Sequence, residues 1–370
     1  MTMAAYVFIH FGQDFRGYYA AARVLLERGN PYDYAQVARV LLDLTGRAGN
    51  NPFYYPLWFG WFITPLSLLP FQTARLLWMI LNWILWLVGL IRLQQLLGFP
   101  SRGWRTWLLN LLATFLFAWT TWKFEQTGIL LFVIMVEILM SHKKQQWNRM
   151  GIFLALALIK PNVMVVPVVA LAGWLIHNRN WRPVVVAGIV LAGLIIVTTA
   201  LTPNWYQPFF QPHFGQGLTQ VLDGPTKVTG TRLNTTLLDW LKWFSVPKIA
   251  RNIIYLVVAL VGVWILGRSV WESKSILEVT VVSLLISFAI TPYALQYDFP
   301  PLVIVLFWTL ASSSYLKPKL IPILIVALMS SVLVWERPIS DGYWIVIGLS
   351  VLMTWVLKFA KTDDFSPALN

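Results

Sequence analysis

The sequence predicts an all-α, polytopic integral membrane protein, a bundle of about 9 to 11 transmembrane helices with broken or re-entrant helices on one face. Three observations predict it. Of 370 residues, 58% are hydrophobic and 12% are charged, where soluble domains carry roughly 25% charged residues. Apolar runs of about 16 to 25 residues recur between Phe53 and Phe359, long enough to cross a hydrocarbon core about 30 Å thick. Trp (21) and Tyr (13) are abundant, as interfacial belts require. Strands are excluded, because repeated runs of this length satisfy their own backbone in lipid only as helices.

The net charge of +13 belongs to loops rather than to a nucleic-acid surface, since no Lys/Arg tract with interleaved polar residues occurs. The chain has no Cys, so disulfides, thiolate nucleophiles and Cys-ligated metals are excluded. No P-loop, GxSxG or HExxH is present, and His10, His142, His177 and His213 show no ligand spacing. Residues 1–11 are apolar but too short to span and lack a basic start, so they are no secretory signal. Either the chain begins on the far side of the membrane or a first span is missing before these residues, and the second is the expectation.

Short loops set orientation. One set is basic: Arg92, Arg102 and Arg105; Lys143, Lys144 and Arg149; Arg179 and Arg182; Arg268 and Lys274; Lys317 and Lys319; Lys358 and Lys361. The alternating loops, Trp122–Thr127, Thr291–Asp298 and Glu336–Gly342, hold only Lys123 and Arg337. The basic set is expected in the cytoplasm of a cytoplasmic-membrane protein. The outer face then holds the N-terminal segment with Asp14, the turn at Glu125 and Gln126, the loop 203–249 and Asp298.

Regular helices are expected near 73–97, 104–121, 127–141, 184–202, 250–267, 276–291, 299–316, 320–335 and 343–360. Parity demands two irregular places besides. Residues 151–177 lie between two basic loops, so one crossing would put Arg179 outside. Lys160-Pro161-Asn162 supplies the break that turns this segment into a hairpin of short helices, because proline removes a helix hydrogen bond and disfavours helix before it. Residues 53–70, with Pro56, Pro65 and Pro70, are expected to form a kinked re-entrant or interfacial element. The whole chain 1–370 reads as one transmembrane domain, with 1–52 an outer-face segment carrying an interfacial helix.

This topology gathers the unusual polar residues on one face: Asp14, Tyr18 and Tyr19; Lys123, Glu125 and Gln126; Lys160 and Asn162; Lys227, Arg232 and Asn234; Tyr293, Gln296, Tyr297 and Asp298. Each has a structural reading too. Asp14 suits the N-cap of a helix starting near Gly17. Asp298 suits a counter-ion to Lys160 or Arg232. Glu125 and Gln126 suit a helix terminus, and Lys160 suits a side chain snorkelling to water. Ionised groups beside a bilayer are costly unless they face water or a partner, and convergence from separate segments is what a site needs.

At these residues the chain resembles glycosyltransferase family 87, polyprenol-dependent transferases of the GT-C fold related to bacterial α-mannosyltransferases. The resemblance runs through Asp14-Phe15-Arg16-Gly17-Tyr18-Tyr19-Ala20-Ala21, Gly29-Asn30-Pro31-Tyr32, Phe53-Tyr54-Tyr55-Pro56-Leu57 with Pro65-Leu66, and Leu77-Trp78 with Asn82. It continues through Gln126, Lys160-Pro161-Asn162, Asn234-Thr235-Thr236, and Thr291-Pro292-Tyr293 to Tyr297-Asp298. The family pattern has Gly-Gln where this chain has Glu125-Gln126, and a second Pro where it has Leu57. Members also start with a full span before the Asp-Phe element.

The resemblance implies a GT-C-like bundle with its site at the outer rim of the bilayer. A hexose, mannose-like, would pass from a polyprenyl-phosphate carrier to a hydroxyl on a glycan, lipid or protein acceptor. It implies Asp14 as the general base, which must lie within hydrogen-bond reach of the acceptor hydroxyl. The leaving phosphate needs cationic stabilisation, for which Lys160 and Arg232 are candidates. Tyr18, Tyr19, Glu125, Gln126, Asn162, Asn234, Tyr297 and Asp298 complete the substrate-binding candidates. Direct displacement would invert the anomeric centre, and neither cofactor nor metal is expected. A transporter or flippase of lipid-linked or small polar solutes is the competing reading. Gathering of polar groups on one face instead of the midplane, and the lack of a visible inverted repeat, disfavour it. A GT-C ligase or polymerase using pyrophosphate-linked donors is a third reading.

Overall fold

The computed structural model describes residues 13–46, 53–98, 104–210 and 236–312. Arg232, Asn234, Lys227, residues 1–11 and the helices expected at 320–335 and 343–360 lie outside the described residues. Within them, all regular structure is helical.

The chain opens with two short helices, α1 (Gln13–Leu26) and α2 (Tyr34–Thr45), the second N-capped by Asp33. A short α3 (Leu57–Ser67) comes directly after Pro56. Next come α4 (Phe71–Leu97), α5 (Trp104–Phe124), α6 (Gly128–Lys143), α7 (Trp147–Ala157), α8 (Pro161–His177) and α9 (Arg182–Leu201). After the loop come α10 (Leu237–Trp243), α11 (Lys248–Glu272), α12 (Ile276–Ile290) and α13 (Leu302–Ser312).

α4, α9 and α11 are long and apolar enough to cross a membrane. At about 1.5 Å per residue each reaches the roughly 30 Å of a hydrocarbon core. Their outward apolar side chains, such as Ile196 and Leu260, are exposed, which only lipid makes tolerable. Apart from Glu137, α6 is apolar from Gly128 to Met140, and all but Leu130 of its residues from Gly128 to Ser141 are buried, the condition for a central helix. α3, with 11 residues, is about 16 Å long and too short to span. It packs on α1.

The break predicted at Lys160-Pro161-Asn162 is present. α7 ends at Ala157 and α8 starts at Pro161. The two arms return to one end of the bundle. The His142 ring lies 5.6 Å from Trp147 at the start of α7 and 5.5 Å from Trp174 near the end of α8. Arg182 Nε donates to Asn148 Oδ1 at 2.9 Å. The arms splay instead of packing on each other: α7 packs against α6 and α9, and α8 against α12.

Basic loops collect at that same end. Glu137 accepts from Arg92 and Arg149, at 2.8 and 2.6 Å in the closest contacts. Lys143 Nζ donates to the Leu96 carbonyl at 3.0 Å. The break at Lys160 and the start of α6 lie at the other end. There Gly128 is obligatory: a Cβ would sit 1.9 Å from the Tyr297 carbonyl oxygen and 2.9 Å from Thr121 Oγ1. The 3-10 turn Gln296–Asp298 is thereby laid directly on the first turn of α6.

Gly128→Ala is expected to lower the thermal midpoint of the purified protein, because backbone must shift to admit the methyl at a cost on the order of 1–3 kcal/mol. Gly188→Ala serves as the control. No heavy atom lies within 4 Å of its Cβ position, and Ala is favoured over Gly in a helix by about 0.5–1 kcal/mol. Its midpoint should match or exceed the native one. A Gly128→Ala midpoint equal to native contradicts the packing.

Candidate active site

Helical spacing on α1 sets the site. Asp14 and Tyr18 are four residues apart and share one face, while Phe15 and Tyr19 share the next. Phe15 stacks on Trp78 at 5.7 Å and on Phe71 at 6.2 Å. Tyr18 meets Tyr55 at 5.0 Å and Phe59 at 5.3 Å, both edge-on. Tyr19 donates its hydroxyl to the Leu69 carbonyl at 2.7 Å. These rings fix α1 against α3 and the start of α4, and they aim Asp14 and Tyr18 at the turn after α5.

In that turn Glu125 takes a left-handed backbone conformation, φ 57°. The reversal sends Glu125 and Gln126 in different directions. Glu125 is buried and accepts from Arg75 Nε at 2.6 Å, while its backbone carbonyl accepts from Trp78 Nε1 at 2.8 Å. Burial pushes the Glu125 carboxyl up to about 7, against the hydrogen bond and charge of Arg75.

Gln126 turns toward α1. Its Nε2 donates to Asp14 Oδ2 at 2.6 Å, and its Oε1 accepts from Tyr18 and Tyr55 hydroxyls, both at 2.6 Å. Asp14 Oδ1 makes no hydrogen bond to a described residue. Asp14 as a residue is partly exposed. Its pKa is raised: burial outweighs the Gln126 donor and the Lys160 charge, Asp298 adds to the rise, and Arg16 opposes it.

The helix break brings in the third component. Lys160 Nζ donates to Asp298 Oδ1 at 2.5 Å, with both side chains buried. Its ammonium lies 4.7 Å from the Tyr297 ring centroid and 5.5 Å from that of Tyr55, within cation–π range. Burial alone would lower the Lys160 pKa; the Asp298 carboxylate and nearby tyrosines reverse this and raise it. Asp298 Oδ2 accepts from the Leu295 amide at 3.1 Å, which closes the 3-10 turn. Asn162 Nδ2 donates to the Tyr293 carbonyl at 2.7 Å, and Thr291 Oγ1 donates to the Asn162 carbonyl at 2.8 Å.

The structure therefore brings Asp14, Tyr18, Gln126, Lys160, Asn162, Tyr297 and Asp298 to one end of the bundle. Tyr19 and Glu125 sit beside them with their polar groups committed to Leu69 and Arg75. Sequence reasoning did not single out Tyr55 or Arg75. The signal for Arg75 was a cation in the first turns of an apolar helix, which requires a buried partner of opposite sign.

Among known families, the sequence profile described as glycosyltransferase family 87 matches residues 53–292. That stretch contains Tyr55, Arg75, Glu125, Gln126, Lys160 and Asn162; Asp14 and Asp298 fall outside it. No curated protein and no solved structure matches.

Arg75→Met should destabilise the protein in a pH-dependent way. The folded pKa of Glu125 lies above its unfolded value of 4.5. Ionisation therefore favours unfolding, and the loss of stability appears as pH rises from 4.5 through about 7. Without Arg75 the buried carboxylate stands uncompensated, a penalty of about 3–5 kcal/mol when charged. Native and variant share the unfolded value, so their thermal midpoints should diverge as pH rises above about 7, where Glu125 ionises against Arg75 in the native protein and has no such partner in the variant. A gap that is constant with pH contradicts the pairing.

Proposed function

Because the chain belongs to glycosyltransferase family 87, we propose that this membrane-embedded glycosyltransferase moves a hexose, mannose-like, from a polyprenyl-phosphate carrier to a hydroxyl acceptor, with inversion and with Asp14 as general base. The observation that carries the reading is the asymmetry of the Asp14 carboxylate. Gln126 anchors Oδ2, and Oδ1 has no described partner. A base fixed through one oxygen and open at the other is positioned for an incoming hydroxyl.

In this reading the acceptor O–H proton passes to Asp14 Oδ1 as its oxygen bonds to the anomeric carbon. The bond from that carbon to the phosphate oxygen breaks, and its electron pair leaves with polyprenyl phosphate. Attack opposite the leaving group inverts the centre. Lys160 contributes a fixed positive charge beside the base, partly neutralised by Asp298. Tyr18 and Tyr55 hold Gln126 in place through their hydroxyls, the Tyr297 ring backs the Lys160 ammonium, and Asn162 holds the break in shape. From the sequence, Arg232 and Asn234 in the loop 203–249 are further contacts for the donor. The acceptor is a glycan, lipid or protein hydroxyl.

The bundle is read as GT-C-like in the cytoplasmic membrane, with the site outside. Collection of Arg92, Lys143, Arg149 and Arg182 at the opposite end supports that sidedness through the bias of Lys and Arg to cytoplasmic loops.

Asp14→Asn should lower turnover by about 10²–10⁴ with folding intact, since an amide takes no proton near neutral pH. Asp298→Asn should raise the apparent donor KM and lower turnover only in part, because it loosens Lys160 without removing the base. Purified variants assayed with polyprenyl-phosphate mannose, glucose and arabinose, with products identified by mass spectrometry, decide this. Near-native turnover by Asp14→Asn sinks the assignment. An acidic pH limb lost only in Asp298→Asn means the two carboxylates are reversed. In the native enzyme that limb should lie above the ordinary aspartate range, because the base acts once deprotonated and its pKa is raised.

Sidedness has its own test. Asn162 is partly exposed, and the native chain has no Cys. Asn162→Cys in intact cells should react with a membrane-impermeant thiol reagent. Labelling only after the cytoplasmic face is opened contradicts the outward site.

A further inference from the structure

Three oxygens meet behind the Asp14 carboxylate. The Tyr18 and Tyr55 hydroxyls each lie 2.6 Å from Gln126 Oε1 and 2.8 Å from each other. Each phenol has one proton to donate, and an amide oxygen only accepts. Burial raises the pKa of both phenols, so both keep that proton at neutral pH. With Oε1 held by two donors, Nε2 faces Asp14 Oδ2 at 2.6 Å. Turned over, the amide would set its oxygen against Asp14 and take from both phenol protons their shared acceptor. That arrangement suits a protonated Asp14, which would then donate to Oε1. The hydroxyls therefore oppose the form of the amide that favours the acid, and they support the form that favours the carboxylate. Tyr55 makes a further contact: its ring centroid lies 5.5 Å from the Lys160 ammonium. It touches both the amide that holds Asp14 and the cation paired with Asp298.

We propose that Tyr55 is a positioning residue, whose hydroxyl acts through Gln126 to keep the amide N–H turned to Asp14 and the carboxylate ready to accept a proton. The proposal rests on the reading of Asp14 as general base. Tyr18 shares the task from α1, and the two phenols come from different segments, so the amide is gripped from two sides. A general base works when it is both aimed and deprotonated. Gln126 serves both needs, because a hydrogen bond to the charged form favours that form. It does so only while its amide faces the right way, and that orientation is what the Tyr55 hydroxyl supplies. Gln126 and Tyr18 then serve the base, with their polar atoms committed within the cluster.

The test follows Asp14 itself in the full purified chain in detergent and needs no substrate. Infrared difference spectra over a pH series report the carbonyl stretch of the protonated acid, assigned as the band absent from Asp14→Asn. Gln126→Met removes the N–H donor and should tighten proton binding at Asp14 by about 10- to 100-fold, the worth of a hydrogen bond to a charged group. Tyr55→Phe deletes one oxygen and keeps the ring beside Lys160. It should tighten proton binding by about three- to tenfold, the worth of one neutral hydrogen bond. The variant carrying both should titrate as Gln126→Met does alone, since Tyr55 acts through the amide. Lys160, Asp298 and Arg16, whose charges also act on Asp14, are unchanged in all three. Thermal midpoints near native show that the variants fold, and Gln126→Leu takes the place of Gln126→Met if the latter does not. A native titration in Tyr55→Phe overturns the role of Tyr55. An effect of Tyr55→Phe that persists in full beside Gln126→Met overturns the route through Gln126. In turnover with polyprenyl-phosphate mannose, the acidic limb of Tyr55→Phe should move to higher pH by the same factor as the titration, with donor KM unchanged. A limb that stays in place while the titration moves contradicts Asp14 as the base and leaves the hold of Tyr55 on the amide standing.

Discussion

A broken helix inside a membrane protein leaves backbone groups without partners, and here two breaks satisfy each other. The first lies at Leu158–Lys160, between α7 and α8; the second runs from Thr291 to Asp298, between α12 and α13. Asn162 and Thr291 exchange hydrogen bonds with the opposite backbone, and Ser287 Oγ donates to the Val163 carbonyl. The Lys160–Asp298 pair locks the two tips. Such a pair is weak evidence for net stability, because desolvation offsets its Coulomb gain. Loss of either partner alone is a different matter, since it leaves the other as a lone buried charge. That constraint holds the 3-10 turn on Gly128, and Gly128 begins the helix whose preceding turn carries Gln126.

Three carboxylates sit within this small region, and their partners give them different work. Asp298 faces a lysine and a backbone amide, with no described contact to Asp14. Glu125 faces an arginine in a dry environment. Asp14 faces only an amide donor on one oxygen. An ion pair neutralises a carboxylate as a base, whereas a single neutral donor orients it and leaves its second oxygen available. The left-handed turn at Glu125 produces this division, by pointing adjacent side chains to opposite sides of one stretch of backbone.

Much of this was legible in the sequence wherever a residue carries a backbone instruction. Proline at Pro161 encodes the break regardless of context, and a carboxylate at Asp14 beside apolar spans announces a partner. Lys160 pairing with Asp298 was one of the alternatives the sequence offered. Tyr55 escaped because Pro56 removes helical phase before it, so nothing in the sequence separates the partly buried Tyr55 from the exposed Tyr54. Arg75 escaped because apolar residues on both sides absorbed it into a predicted span. Helix ends moved for local reasons: α11 runs on to Glu272, where Arg268 and Glu272 pair at 2.8 Å across one turn, the spacing that supports helix.

Coupling between Lys160 and Asp298 is the quantity on which the two joined breaks depend most directly. A double-mutant cycle with Lys160→Met and Asp298→Leu, read as unfolding free energy in a lipid or detergent environment, measures it. Each single substitution should cost about 3–5 kcal/mol, and the double substitution should cost clearly less than their sum, since it leaves no lone buried charge. Additive losses, or a double variant worse than both singles combined, would mean that the two breaks are held by something other than this pair.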